Sequence, residues 1–269
     1  MELNMEIIKV LREKTGAGMV DCRKSLEEAA GDIDQAIEIL RKKGIARAAK
    51  RSERETSEGV IKVLTNEENN EGYILEVKAE TDFVARTEKF QDFANQVLAI
   101  IKVYQPQNLA ELLKLNMDKA TVGENLDNLS GVIGEKIEIK RFAVLKTDGL
   151  ITAYSHLGGK IGVLVAIDKA GTKDLAYDLA MQIAAANPKY IDRNEVPAEE
   201  IDQEKSIYRE QLTQAGKPEN MIEKIIVGKL NKYLADICLV DQDYIKEDKK
   251  KVKDILNGVK IKQFIRYSL

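Results

Sequence analysis

The hydrophobic pattern of the chain changes its period near residue 55. Before that point, apolar residues recur at helical spacing, and two glycine-containing breaks divide them into three short helices. The third helix is expected to end just before Gly44, because glycine is common at the residue that follows a helix. The stretch 41–54 is basic and poor in bulky apolar residues, so it is interpreted as a linker or a helical extension. We therefore assign residues 1–54 to a first domain, a three-helix module with a basic linker.

Strand-like patterns follow, rich in Val, Ile and Tyr. The pair EGVIKVLT and EGYILEVKA, separated by a polar NEENN turn, predicts a hairpin. Helical spacing returns from Phe90 to Ile101, and a further helix is predicted over residues 108–117. A second hairpin is predicted from KIEIKRFAVL (136–145) and LITAYSHL (150–157). The last residues, VKIKQFIRYSL, have the alternation of a returning strand.

Two parts of the chain share one order of features: an apolar strand, a polar turn, an amphipathic helix, and an exit with an aromatic residue and a proline. The first part begins at Gly72 and the second at Lys160. This faint repeat predicts a core of two related halves, residues 55–145 and 146–269. A chance likeness between strand-and-helix units is the alternative.

The second half contains a predicted insertion at about residues 198–239. Two consecutive helical stripes, joined by a Gly-Lys-Pro turn, predict an antiparallel helical hairpin. The first helix has the thinner apolar stripe, so part of the apolar face of the second helix is expected to remain for a partner. The predicted fold class is α+β, with an N-terminal three-helix module, a two-part α+β core and an inserted antiparallel helical hairpin.

Composition narrows the class of protein. The formal net charge of −3, from 42 basic and 45 acidic residues, gives no overall field that would attract nucleic acid. Cys22 and Cys238 are the only cysteines, which argues against a disulfide framework or a zinc site. The N-terminus lacks the apolar core of a signal peptide, and no segment approaches the ~20 apolar residues of a membrane span. We expect a cytoplasmic protein that does not bind membranes.

Candidate catalytic residues are few. His156 is the only histidine, and the neighbouring Ser155 points to the other face of the same strand, so a structural or contact role is favoured over a general base. The glycines of TGAGM (15–19) and LGGKIG (157–162) lack the sequence context of a phosphate-binding loop. An interaction protein is therefore favoured. An enzyme that uses His156 and an RNA-binding accessory protein that uses the basic stretch 41–54 are the rival hypotheses.

The segment KAETDFVARTEKF, residues 78–90, places an acid and a large aromatic residue where a strand gives way to a helix. Thr81 or Asp82 is expected to cap a short helical turn. In one interpretation, which pattern alone favours, Phe83 folds back into the core near Phe90. In the other, the capped turn projects Asp82 and Phe83 outward, with the composition of an interface hot spot.

Several stretches together resemble the elongation factor Ts family. In order, they are LREKTGAGMVDCRKSLEEAAGDIDQAIEILRKKG, EGVI, LEVKAETDFVAR, HLGGKIGVLVA and GKPENMIEKIIVGKLNKY, and TGAGMVDC and ETDFVAR are the most specific. Members of that family catalyse guanine-nucleotide exchange on elongation factor Tu. The resemblance implies a ubiquitin-associated-like N-terminal domain, a two-part core and a helical hairpin, in agreement with the segmentation above.

The resemblance also implies which residues contact the partner. The exchange wedge, which enters the GTP-binding domain of the partner, would consist of Thr81, Asp82, Phe83 and Val84. The N-terminal module would hold that same domain through Arg12, Met19 and Val20. The core would lie against the third domain of the partner through His156, Gly158 and Gly159. Family members usually have Asn or Asp where this chain has Thr87, so the start of the next helix is expected to differ.

The resemblance implies no cofactor for this chain, because Mg²⁺ and the nucleotides GDP and GTP belong to the partner. Elongation factor Tu is the expected partner, with no direct contact to nucleic acid. A homodimer formed through the helical hairpin would give a heterotetramer with two partner molecules.

Overall fold

The N-terminal segment of the computed structural model forms three helices around a small apolar core. Leu11, Cys22 and Leu26 are fully buried between these helices. The helices are α1 (Met5–Thr15), α2 (Met19–Glu28) and α3 (Ile33–Ala49). The structure describes residues 5–49, 51, 53–168 and 172–269.

The third helix does not end at Gly44, and that prediction is wrong. The helix continues for 17 residues to Ala49. Gly44 instead lies where α3 meets another helix, and a glycine serves close helix approach as well as helix termination. The first part of the stretch 41–54 is therefore a helical extension. The ubiquitin-associated-like character of the module stays a prediction.

Two antiparallel sheets of three strands each form the core. The strands of the first sheet are β1 (Glu58–Thr65), β2 (Glu71–Ala79) and β5 (Ile137–Lys146); those of the second are β6 (Leu150–His156), β7 (Ile161–Ile167) and β8 (Ile261–Ser268). The first sheet has the strand order β1-β2-β5, and the second has the order β6-β7-β8. The predicted β1–β2 hairpin and the returning strand β8 are confirmed.

The two sheets pack face to face, and helices cover their outer faces. Alternate residues of a strand point to opposite faces, so Ile74 of β2 meets Leu164 of β7 between the sheets. Their neighbours face the helices: Leu75 packs under α5 (Glu88–Tyr104), and Val163 packs under α8 (Lys173–Ala186). The α+β fold class is confirmed. The domain bounds proposed above stay a prediction.

The predicted hairpin between β5 and β6 is wrong. Strand β5 pairs with β2 and strand β6 pairs with β7, so residues 146–149 carry the chain from one sheet to the other. The central strands β2 and β7 are mostly buried, and each pairs with two neighbouring strands to form a separate sheet. Gly149 belongs to a close crossing, because a Cβ at this position would overlap the carbonyl oxygen of Ile167.

A helix between residues 122 and 133 was not predicted. Its sequence, VGENLDNLSGVI, contains glycine and asparagine, which are weak helix formers. A capping box between Thr121 and Glu124 starts the helix, and this T-x-x-E signature is readable from sequence. The predicted helix over 108–117 is shorter than expected. The elements of this region are α6 (Leu109–Lys114), β3 (Asn116–Met117), β4 (Ala120–Thr121) and α7 (Val122–Ile133).

The predicted helical hairpin is present in the second half as α9 (Ala198–Gln214) and α10 (Glu219–Ile237). Its base is fixed by Glu200, which accepts hydrogen bonds from the hydroxyls of Tyr233 and Tyr190. These hydrogen bonds lower the pKa of Glu200 to about 2. The remaining elements are a one-turn α4 (Asp82–Ala85), a short α11 (Val252–Ile255) and two 3₁₀ turns (Arg193–Glu195 and Leu239–Asp241).

Among the described helices, none combines the length and the apolar character that a bilayer crossing requires.

Candidate protein-interaction site

The turn that follows β2, residues 81–85, is here called the Phe83 turn. Thr81 is the N-cap of α4, and its Oγ1 accepts a hydrogen bond from the backbone N–H of Val84 at 3.4 Å. The backbone N–H and the hydroxyl of Thr81 donate to the two carboxylate oxygens of Glu135, at 3.0 and 2.8 Å. The start of the turn is therefore held both by its own cap and by a side chain that precedes β5.

The side chains of the Phe83 turn divide between the core and the solvent. Val84 and Ala85 are buried in the core that α5 shares with the first sheet. Phe83 is 82% exposed, whereas Phe90, seven residues later, is fully buried. The interpretation that folds Phe83 back into the core is therefore wrong. The structure has the projecting arrangement, in which two buried residues hold the turn and the aromatic ring points outward.

The exit of the Phe83 turn is capped as well. Thr87 is the N-cap of α5, because its Oγ1 accepts from the backbone N–H of Phe90 and donates to the carbonyl oxygen of Val84 at 2.8 Å. Thr87 thus performs the capping role for which Asn and Asp are also suited. Asp82 forms an ion pair with Arg86 at 2.8 Å, which is exposed and adds little stability.

Glu80, the residue before the Phe83 turn, connects three segments. Its carboxylate accepts from the backbone N–H of Lys136 at 2.6 Å and from Arg54 Nη1 at 3.2 Å. Burial raises the pKa of Glu80, but these hydrogen bonds and the charge of Arg54 outweigh burial and hold that pKa below its usual value. The segment that follows the N-terminal module is therefore tied to the base of the Phe83 turn.

The three predicted contact residues of the N-terminal module flank the loop 16–18. Arg12 lies exposed near the end of α1. Val20, in the first turn of α2, is 66% exposed. Met19 is half-buried and packs against the core of the module. Two of the three side chains are therefore free to meet another protein, and Met19 offers only part of its surface.

His156 ends β6, and residues 156–159 are here called the His156 turn. The Tyr154 hydroxyl lies 2.9 Å from His156 Nδ1, and the two rings stack. Leu157, Gly158 and Gly159 have positive φ angles of 51°, 67° and 94°. The side chain of Leu157 is 67% exposed. Leu157 is not among the residues that the sequence analysis names as partner contacts.

The His156 turn and the Phe83 turn lie at the same end of the two sheets. The carbonyl oxygen of buried Gly159 accepts from the backbone N–H of Ile61 in β1 at 2.7 Å. Lys160 forms an ion pair at 3.0 Å with Glu58, and Glu58 is paired with Ala79 at the end of β2. The structure therefore brings these two predicted groups to one end of the core.

The basic stretch 41–54 offers less free charge than its composition suggests. Arg41, Lys43 and Arg54 form ion pairs with Glu124, Glu28 and Glu80. The guanidinium of Arg51 donates to a backbone carbonyl oxygen. The side chain of Arg47 and all of Lys50 lie outside the described residues. Cations that already have partners attract phosphate less, so this arrangement disfavours the RNA-binding alternative.

Within the part of the chain that the structure describes, no group of three His, Cys, Asp or Glu side chains is arranged to hold a metal ion.

Comparisons with known proteins agree with the motifs in this site. A family model described as Elongation factor TS matches residues 80–269, beginning one residue before the Phe83 turn. Over its full length the chain is 44% identical to Elongation factor Ts of Chloroherpeton thalassium, of which it covers 98%. It is 42% identical to the protein of that name from Chlorobaculum parvum, with 99% covered, and 45% identical to that from a Nitratiruptor species, with 93% covered. The chain therefore belongs to the elongation factor Ts family and is a factor of translation elongation.

Proposed function

We propose that this protein is a guanine-nucleotide exchange factor, which binds elongation factor Tu loaded with GDP and promotes GDP release so that GTP can bind. The observation that carries the proposal is the Phe83 turn, which holds a largely exposed aromatic ring on a capped and anchored base. Burying such a ring in a partner contributes roughly 1.5–3 kcal/mol. A rigid turn also avoids much of the ordering cost of binding.

Nucleotide exchange requires differential binding and no covalent chemistry. The factor must bind the nucleotide-free partner more tightly than the loaded one, and nucleotide then weakens factor binding by the same amount. A shift from ~1:99 to ~99:1 requires about 5.5 kcal/mol of differential affinity, more than Phe83 alone can supply. A broader contact surface is therefore part of the proposal.

The proposed wedge consists of Thr81, Asp82, Phe83 and Val84, with divided roles. Phe83 enters the GTP-binding domain of the partner and displaces the elements that hold Mg²⁺ and the β-phosphate of the nucleotide. Asp82 is half-exposed and lies beside that contact. Thr81 and the buried Val84 anchor the turn from below.

The remaining contacts supply affinity. Arg12, Val20 and the exposed part of Met19 hold the same domain of the partner. The His156 turn contacts its third domain through His156 and the exposed Gly158, while Gly159 shapes the turn from a buried position. The Mg²⁺ ion and both nucleotides belong to the partner, and the protein acts in the cytoplasm.

The helical hairpin is proposed as the contact between two copies, which would give a heterotetramer with elongation factor Tu. Its exposed apolar residues Ile207, Met221 and Val227 support this proposal. Sedimentation of the mixture tests it: a mass of two factors and two partners is expected, and a one-to-one complex would contradict the dimer.

The proposed activity is tested by mixing the protein with elongation factor Tu that carries fluorescent GDP. Substoichiometric amounts are expected to accelerate GDP release when unlabelled nucleotide is in excess. Release at the spontaneous rate would contradict the proposal. A titration with RNA is the matching test of the alternative, which requires an affinity that falls steeply with salt and depends on residues 41–54.

A further inference from the structure

Two helices from distant parts of the chain cross at a pair of glycines, Gly44 in α3 and Gly131 in α7. A Cβ built on Gly131 would lie 2.5 Å from the Cα of Gly44 and 2.9 Å from its carbonyl carbon, which is a clash with backbone. A Cβ built on Gly44 would lie 3.8 Å from the Cα of Gly131, which is ordinary contact. The side chains at a helix crossing set the distance between the axes, so the absence of a side chain at position 131 permits this close approach.

Polar contacts surround the crossing. Arg41 Nη2 lies 2.6 Å from Glu124 Oε1, and the capping box at the start of α7 fixes that carboxylate. Arg51 Nη1 donates to the carbonyl oxygen of Ser130 at 3.2 Å. On another side of the module, the loop 16–18 meets α5, where a Cβ on Gly16 would overlap the Lys89 ammonium. The module is thus held against the core on more than one side.

We propose that the Gly44–Gly131 crossing is a positioning joint, which docks the N-terminal module on the core in one orientation. The exposed residues around the loop 16–18 and the Phe83 turn then meet the partner as one preorganised surface. This inference rests on the proposed exchange function. When two contact surfaces belong to one rigid body, the second contact forms without a further loss of orientational freedom.

Gly44 and Gly131 provide a matched pair of variants. Gly131→Ala and Gly44→Ala each add one methyl group to a helical glycine, and each change by itself favours the helix. Only Gly131→Ala places that methyl group against backbone. In small-angle X-ray scattering of the full chain, Gly131→Ala is expected to increase the radius of gyration and the maximum dimension, and Gly44→Ala to leave both unchanged.

The same pair is then compared in the exchange assay, after circular dichroism has shown that each variant is folded at the assay temperature. Gly131→Ala is expected to raise the protein concentration for half-maximal GDP release at least ~10-fold and to leave the saturated rate within ~2-fold, because undocking reduces the effective concentration of the second contact. Gly44→Ala is expected to match the unmodified protein in both quantities.

If Gly131→Ala does not fold, Arg41→Glu takes its place, with Lys42→Glu as the control. Arg41→Glu sets a second carboxylate beside Glu124, whereas Lys42 pairs with Glu38 of its own helix. Arg41→Glu is expected to increase the radius of gyration and to raise the protein concentration for half-maximal GDP release, as Gly131→Ala does, but by a smaller factor.

The proposed positioning joint would be overturned if Gly131→Ala left the scattering profile unchanged. It would also be overturned if the profile expanded while the protein concentration for half-maximal GDP release stayed the same.

The proposal of the joint and the proposal of the exchange function fail in different ways. If the unmodified protein does not accelerate GDP release from elongation factor Tu, the exchange function is wrong and the joint has no role in it. Scattering still reports whether the crossing docks the module. If the unmodified protein does accelerate GDP release and Gly131→Ala behaves as Gly44→Ala does, only the joint is wrong.

Discussion

The Phe83 turn and the His156 turn lie at the same end of the core and are built by different means. Each presents a large apolar side chain to solvent, Phe83 at 82% exposure and Leu157 at 67%. The Phe83 turn keeps ordinary backbone angles and is held by side chains, above all the caps Thr81 and Thr87. The His156 turn has three consecutive positive φ angles and is held by its backbone.

Because the two turns are held by different groups, their structures depend on different residues. A turn held by side-chain caps depends on particular hydroxyl and carboxylate groups, and its exposed aromatic residue is free to serve a partner. A turn held by left-handed backbone depends on glycine and on close contact with a neighbouring strand. Substitutions in the two turns are therefore expected to differ in how strongly they affect stability and nucleotide exchange.

The largest effect is expected at Gly159, where Gly159→Ala should lower the free energy of unfolding by ~2–4 kcal/mol. The new Cβ would lie 2.6 Å from Val60 Cγ2 and 3.2 Å from the carbonyl oxygen of Ile61, at a φ of +94°. Gly158→Ala is the control, since its Cβ meets nothing within 4 Å and only the left-handed backbone opposes it, at ~1–2 kcal/mol. Urea unfolding measures both variants. Equal losses would show that the contact with β1 does not constrain the turn.

A smaller effect is expected at Thr81. Thr81→Ala removes the acceptor for the Val84 N–H and the hydroxyl that donates to Glu135, so the free energy of unfolding should fall by ~1 kcal/mol. The concentration for half-maximal exchange should rise because the Phe83 turn is less ordered. Thr81→Ser keeps the hydroxyl and should restore both quantities. A serine variant as impaired as the alanine variant would mean that the cap does not hold the turn.

The smallest effect is expected at His156. His156→Ala should raise the concentration for half-maximal exchange a few-fold and leave the saturated rate nearly unchanged, because the residue is assigned a contact role. Tyr154→Phe removes the hydroxyl beside His156 Nδ1 and keeps the His156 side chain. It therefore tests the orientation of the His156 ring separately from the contact of that ring with the partner. Loss of a general base would instead reduce the saturated rate by ~10²–10⁴ and leave the affinity unchanged. That result would contradict the contact role and favour the hypothesis of an enzyme.

The sequence was sufficient where the signal is local. Helical stripes, the β1–β2 hairpin, the Gly-Lys-Pro turn between α9 and α10, and a cap at Thr81 all follow from spacing and residue type. The capping box Thr121–Glu124 was an equally local signal for α7 and was overlooked.

The sequence was insufficient where the outcome depends on what lies across the fold. Strand β5 has a turn-like segment before β6, yet both strands pair with more deeply buried partners. Gly44 has the position of a helix end and is part of a crossing with Gly131. The direction of Phe83 depends on which side chains fill the core beside the turn, and Val84, Phe90 and Phe93 lie there while Phe83 does not. No local pattern contains this information.

The most direct test of the account compares two phenylalanines seven residues apart, through Phe83→Ala and Phe90→Ala. For each variant, urea unfolding gives stability, and the exchange assay with fluorescent GDP gives the saturated rate per folded molecule. Phe83→Ala is expected to slow exchange at least ~10-fold and to change the free energy of unfolding by less than ~0.5 kcal/mol, as surface substitutions do. Phe90→Ala, at a fully buried position, should cost ~3–5 kcal/mol of stability. A Phe83→Ala variant that loses stability on the scale of Phe90→Ala, and exchanges nucleotide normally when folded, would contradict the account.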